Sequence, residues 1–309
     1  MAKHTPRRKK EDPELQKGEQ ARLIPKAGQL IVRMYRQGLG DCFLLAFLGK
    51  QNKVCYMLID CGVHKRQPDG PQRLQEVLND IVAATGGHLD VVVATHEHAD
   101  HLSGFVQKGS PFLTGKLTVG ELWVAWTEKV GDQEADALRR KRGTARAVIE
   151  KAVKEASQRN DSGLAETIDR LNDFEYPDDN SIDWNEIRER INKLWKASPE
   201  CEAVPPHVTQ FLNGQADEGG EGLGIAAKKA KNPTSNELAL ALLTALAEHV
   251  EYVSPGKVLD LPGAGKGRCF VLGPPRDPQF LEKDRPTKIG KRSSGTGRDR
   301  RTASTRRST

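Results

Sequence analysis

Within "VVVATHEHADHLSGF" (Val91–Phe105), the side chains of His96, His98, Asp100 and His101 crowd into six positions. Imidazole nitrogens and carboxylate oxygens are the ordinary donors to zinc, at about 2.0–2.2 Å. Where the chain is still near-extended, residues two apart project to the same side. His96 and His98 can therefore grip one ion. Asp100 continues that spacing and His101 turns away as a helix begins, so this second pair can reach a second ion. Two ions about 3.5–4 Å apart can clamp both sides of a displacement, and a bound ion lowers the pKa of water toward about 7. The chemistry to expect is metal-assisted attack of water on an ester-type bond, with Asp100 the candidate catalytic residue that orients the water as well as holding metal. The competing view is a chance surface cluster or a hydrogen-bond staple. An H-x-H-x-D-H pattern after a strand and before a helix is far more specific than a stray histidine pair.

Such a cluster needs elements to hold it. "LDVVVAT" is β-branched and apolar on both faces, as expected of a strand buried between layers. Upstream, "GQLIVRMYR" alternates as a strand with Leu30, Val32 and Met34 on one face. "CFLLAFLG" and "VCYMLIDCG" flank the polar "KQNK" and read as a hairpin. "PQRLQEVLNDIVAAT" repeats apolar residues at helical spacing, and "GG" stops it as a helix C-cap would. "KLTVGELWVAW" is one more strand. Trp123 and Trp126, with Trp184 and Trp195, are expected to pack in the core rather than stack on bases.

The texture changes over 131–200, a charged, amphipathic stretch that reads as a helical insertion. Residues 205–235 are rich in Gly, Pro and small polar residues and read as a loop-rich linker. "NELALALLTALAEHV" is a strong apolar helix, and "RCFVLG" a late strand. "GAGKGR" lacks the spacing of a phosphate-binding loop and reads as a turn.

"THEHADH", together with "GLGDCFLL" (Gly38, Gly40, Asp41, Cys42) and "LIDCG" (Asp60, Gly62), resembles the metallo-β-lactamase-fold hydrolases, in particular the branch related to the ComEC-type competence proteins. The resemblance spans residues 28–126 well and 127–290 loosely. It implies an α/β architecture, a four-layered αβ/βα sandwich with metals at one edge of the sheets. It also implies zinc as cofactor, two ions where the site is complete, with His96, His98, Asp100 and His101 as ligands. Asp60 is then a brace that hydrogen-bonds the histidine loop from behind, and the ComEC likeness tilts the substrate toward a phosphodiester. Asp41 reads equally well as a turn residue bonding to its own backbone.

The family completes its site with later histidines and a bridging aspartate. After His101 this chain has only His207, in a loop-like "VPPH" context, and His249, at the end of the apolar helix. Both are weak candidates. The expectation is an incomplete, truncated sandwich lacking a second αβ half. The alternative function is a catalytically inactive remnant acting at most as a binding protein.

Bulk composition narrows the rest. The 309 residues are 37% hydrophobic and 29% charged, with no run of apolar residues long enough to cross a membrane. Five cysteines without a CxxC point to reduced thiols and a cytoplasmic setting. The net charge of +6 sits in Lys291–Thr309: seven of the 48 Lys/Arg and one of the 42 Asp/Glu lie there, so 1–290 carries 41 of each. Residues 291–309 are expected to be a disordered basic tail that can touch nucleic acid weakly and without sequence preference. Residues 1–27 are expected to be a disordered basic lead-in, and 28–290 one domain.

Overall fold

A computed structural model of the protein describes residues 22–159, 163, 181–196, 204–214, 233–263, 267–277 and 280. The first 21 residues, all but Gly163 of the "GLAETIDRLNDF" helix expected from 163, most of the 205–235 linker and the basic tail fall outside the described residues. The chain divides at the Pro274–Pro275 bond into two units, ahead of the boundary expected at 290. Every element below belongs to the first.

The hairpin region supplies β1 (Leu30–Met34), β2 (Cys42–Leu48) and β3 (Val54–Cys61). Then come α1 (Gly70–Thr85), β4 (His88–Ala94), α2 (Ala99–Val106), the short α3 (Pro111–Thr114) and β5 (Thr118–Ala125). The insertion contributes α4 (Gln133–Gln158) and α5 (Trp184–Trp195), and α6 (Pro206–Leu212) lies within the expected linker. The chain closes with α7 (Ser235–Leu246), β6 (Ala247–Val253), β7 (Val258–Asp260) and β8 (Arg268–Phe270).

The result is mixed α/β. Six strands form one sheet in the order β1-β2-β3-β4-β5-β6. β1, β2 and β3 pair antiparallel, as consecutive strands joined by tight turns must. From β3 to β6 the pairing is parallel, with helices as crossovers.

Strand alternation assigns the two faces. Leu44, Leu58, Val92 and Leu122 line up across neighbouring strands and bury against Leu74, Leu78 and Ile81 of α1, Leu102 and Phe105 of α2, and Leu238 and Leu242 of α7. Each such fully buried side chain contributes about 1.5–3 kcal/mol of hydrophobic stabilisation. On the opposite face Met57, Val91 and Trp123 pack with Leu259 and Cys269 of the β7–β8 ribbon. Leu30, Val32 and Met34 do share one face of β1, as their spacing predicts, but they are 55%, 54% and 68% exposed. Trp123 and Trp126 are core residues at 3% and 1% exposure.

Three expectations need correcting. The apolar helix ends at Leu246, and "AEHVEYV" becomes strand β6. Parallel pairing with Val119–Ala125 satisfies its backbone while Val250 and Tyr252 pack on the helix-covered side, so tertiary context outweighs the helical run. His207 is helical, within α6, where Pro206 at the first turn suits a helix start. The lead-in does not remain apart as far as residue 27: the Leu23 N–H donates to the Ala84 carbonyl, and Arg22 donates to the Thr85 carbonyl at the end of α1.

Candidate metal centre

β4 ends at Ala94, Thr95–His98 form the turn, and α2 starts with His98 as its N-cap. The His98 carbonyl accepts the N–H groups of His101 and Leu102, which starts the helix. Asp100 falls in the first turn, where a carboxylate is favoured by the helix dipole.

This turn is pressed into place by two glycine segments. A Cβ on Gly62 would lie 2.4 Å from the Asp100 carbonyl carbon, and one on Gly40, at φ +142°, would lie 2.6 Å from the Asp100 oxygen. The Asp41 N–H donates to the Asp100 carbonyl, and the Gly62 N–H donates to the Asp41 carbonyl. The "GLGD" turn and the "LIDCG" strand end thus form a cradle for the start of α2.

Asp60 is the centre of the brace. Cys42 faces Cys61 and Phe43 faces Ile59, so Asp60 is the extra residue of a β-bulge. Bulges re-aim side chains. Asp60 takes the left-handed conformation at φ +53°, rare for a non-glycine residue, and is 2% exposed. Its carboxylate accepts the Thr95 N–H at 2.8 Å, the Thr95 hydroxyl at 2.6 Å and the His101 Nδ1–H at 2.9 Å. With its proton given to Asp60, Thr95 Oγ1 accepts from His96 Nδ1 at 3.0 Å. That network places the lone pair of neutral His96 on Nε2, the usual arrangement of a metal-ligating histidine.

His96 lies beside both other imidazoles. The ring centroids of His96 and His98 are 4.7 Å apart, and those of His96 and His101 are 3.9 Å apart. His101 Nε2 lies 3.5 Å from Asp100 Oδ2. Asp100 Oδ1 is buried with no hydrogen-bond partner, an arrangement that costs free energy unless a cation or donor meets it. Asp41, half-exposed, points Oδ2 to 3.7 Å from His101 Nδ1. Asp41, Asp60 and His101 each offer a ligand atom within 4.8 Å of the others.

Electrostatics reflect this crowding. Burial would lower the His101 imidazole, but hydrogen bonds to Asp100 and Asp60 and their negative charge push it up to about 10. Burial would raise the Asp100 carboxyl, but the bond to His101 and its charge hold it below the usual carboxylate range. His96 is held below the ordinary imidazole value by burial and by the neighbouring His101 and His98. The pocket thus stabilises one positive charge among carboxylates. A cation suits the same demand, and Asp41, Asp60 and His101 are the described residues whose ligand atoms lie close enough together to share one.

The structure places His96 against His98 and His101, and His101 against Asp100 and Asp60, while the three residues whose ligand atoms lie within 4.8 Å of one another are Asp41, Asp60 and His101. The weaker candidates are engaged elsewhere. His207 Nε2 lies 3.0 Å from Glu237, which closes the capping box of α7, and His249 lies in β6 beside Glu251 at 3.9 Å. The turn at Asp41 is held through backbone bonds to Asp100 and Gly62, and its carboxylate lies near His101. Sequence reasoning missed Thr95, although its hydroxyl opens the "THEHADH" motif, and Glu97, whose carboxylate pairs with Arg142 of α4 at 3.2 Å. Only the fold reveals that second pairing.

Neither a protein-family model nor a curated protein matches the chain.

Proposed function

We propose that the protein is a metal-dependent hydrolase of the metallo-β-lactamase type, acting on an ester-type bond, phosphodiesters included. The observation that carries this reading is the packing of His96 against His98 and His101, with Asp100 3.5 Å from His101, at the end of a parallel strand and braced from behind by Asp60. The mixed α/β sheet with its covering helices is compatible with an αβ/βα sandwich. In that reading His96, His98, Asp100 and His101 hold the metal, zinc being the natural choice for a nitrogen-rich site. When bound, the ion polarises the ester and lowers the pKa of water. Asp60 fixes the His101 and Thr95 orientations, and Thr95 fixes that of His96. Asp100 orients the attacking water as well as helping to hold the ion.

A second reading, a binding protein without turnover, draws on a different observation. Among the described residues, His207 and His249 have other partners, so the later ligands of a two-metal site are not among them. Elemental analysis of the purified protein, with turnover of bis-p-nitrophenyl phosphate by wild type and His98→Ala, separates the two. Hydrolysis predicts bound zinc and a loss on His98→Ala of at least about 100-fold, the upper end of what even outer-shell changes cost. Metal-free wild type without turnover supports the binding protein.

A further inference from the structure

A cavity of about 570 Å³ opens beside the histidine turn, and Glu97, between His96 and His98, forms part of its wall. It lies beside Val124 and Tyr252, the next-to-last residues of β5 and β6, at the carboxyl edge of the parallel strands where α/β sheets take their ligands. Its volume falls within the range of about 300–1,000 Å³ typical of small-molecule sites. α4 and α7 close it from two sides through Ala145, Ile149, Ala241 and Thr244.

The lining constrains what enters. The acidic Glu97, Glu128, Asp136 and Glu237 outnumber the basic Arg139, Arg140 and Arg142. Most of these charges are spent on one another. Arg142 pairs with Glu97 and Glu128, and Arg139 holds Asp136 and the Thr127 and Lys129 carbonyls. A polyanion needs an excess of positive charge that these walls do not provide. The remaining surface, Val124, Ile149, Leu240, Ala241 and Tyr252, suits an aromatic ring or short hydrocarbon chain.

We propose that this cavity receives the non-reacting apolar group of a small ester, with the scissile bond directed to the histidine turn through the Glu97 side. The assignment rests on the hydrolase reading for its chemistry but not for its binding. It makes the substrate a small amphipathic molecule rather than a nucleic-acid chain.

The test is calorimetric titration of the full chain, held in EDTA, with bis-p-nitrophenyl phosphate. Wild type is expected to bind saturably. Ala145→Trp and Thr244→Trp, which fill the cavity from opposite walls, are expected to weaken binding at least about tenfold by denying the ring its apolar burial. Val148→Trp, on the exposed side of α4 at 64% exposure, is expected to bind as wild type does. Absence of saturable binding, full binding by both filled variants, or equal competition from a short oligothymidylate overturns the proposal. A zinc-loaded wild type that binds the ester without hydrolysing it removes the hydrolase reading and leaves the cavity assignment standing.

Discussion

Asp60 Oδ2 lies 2.9 Å from His101 Nδ1, joining a bulged strand end to the first turn of a helix 41 residues later. The same carboxylate holds Thr95 by two further bonds. A left-handed conformation at a non-glycine residue costs about 1–3 kcal/mol and persists where surrounding structure demands it. Here the demand is that one carboxylate reach both the turn and the helix. Asp60→Asn keeps the shape but replaces one acceptor with an N–H donor that faces Thr95 or His101. We expect zinc affinity to fall by about 10–100-fold, the usual cost of losing an outer-shell partner, with the far-ultraviolet circular dichroism unchanged. Competition with a chromophoric chelator measures it, and wild-type affinity in Asp60→Asn would remove the bracing role.

The His101 imidazole, raised to about 10 by Asp100 and Asp60 against the opposing effect of burial, makes stability and metal uptake respond to pH in opposite directions. For the metal-free chain, a folded value above the unfolded value of about 6.5 means that this stabilisation is fully present below about 6.5 and is lost as pH rises through about 10. In the proposed metal site, zinc would displace the His101 proton, so uptake would release it and tighten with pH across the same window. His96, held low, adds no proton above its ordinary range. Calorimetry of zinc binding in two buffers of different ionisation enthalpy at neutral pH should report close to one proton released. His101→Gln should abolish that release and flatten the alkaline fall in melting temperature.

Much of this site is legible from residue types alone. The β-branched run Val91–Val93, the break at Thr95 and the histidine spacing already place a ligand cluster at a strand–helix junction. The helical spacing of Leu74, Val77, Leu78 and Ile81 and the Gly86 stop, at φ +70°, hold in detail because both are local signals. What resists reading is decided by distant neighbours. "AEHVEYV" is apolar enough to extend α7, yet an open parallel edge on β5 captures it as β6. The Asp41 carboxylate lies 3.7 Å from His101, sixty positions away, and the cavity beside Glu97 is walled by α4 and α7 from far along the chain. Alternation places Leu30, Val32 and Met34 on one face but does not say whether anything covers it.

Gly62 tests the cradle. A Cβ there would meet the Asp100 carbonyl carbon at 2.4 Å and the His101 nitrogen at 2.5 Å, all backbone and unable to swing aside. Gly62→Ala should destabilise the protein by about 1–3 kcal/mol, the range for overpacking, and reduce bound zinc. Gly143→Ala is its counterpart, since nothing lies within 4 Å of a Cβ there and the residue is within α4. That change should stabilise by about 0.5–1 kcal/mol through helix propensity. Urea titrations of the two variants should move in opposite directions; a stable, zinc-replete Gly62→Ala would mean that α2 does not rest on this glycine.

The outer face of β1 gives the last prediction. Leu30, Val32 and Met34 stand more than half exposed on an edge strand, opposite Phe47, Leu45 and Phe43 of β2. Their inward neighbours hold the strand instead: Ile31 packs on the helix-side core, and Arg33 with Tyr35 donates to the Asp80 carboxylate of α1. β1 should therefore tolerate charge outward and not inward. Val32→Lys and Met34→Lys should each change stability by no more than about 0.5 kcal/mol, as surface substitutions do, and should lessen edge-to-edge association at high concentration. Asp80→Ala removes the acceptor shared by Arg33 and Tyr35 and should cost about 1–3 kcal/mol. Chemical denaturation and sedimentation velocity read both effects. A loss above about 2 kcal/mol in Val32→Lys, the scale of burying an unpaired charge, would mean that a further layer of protein covers this face.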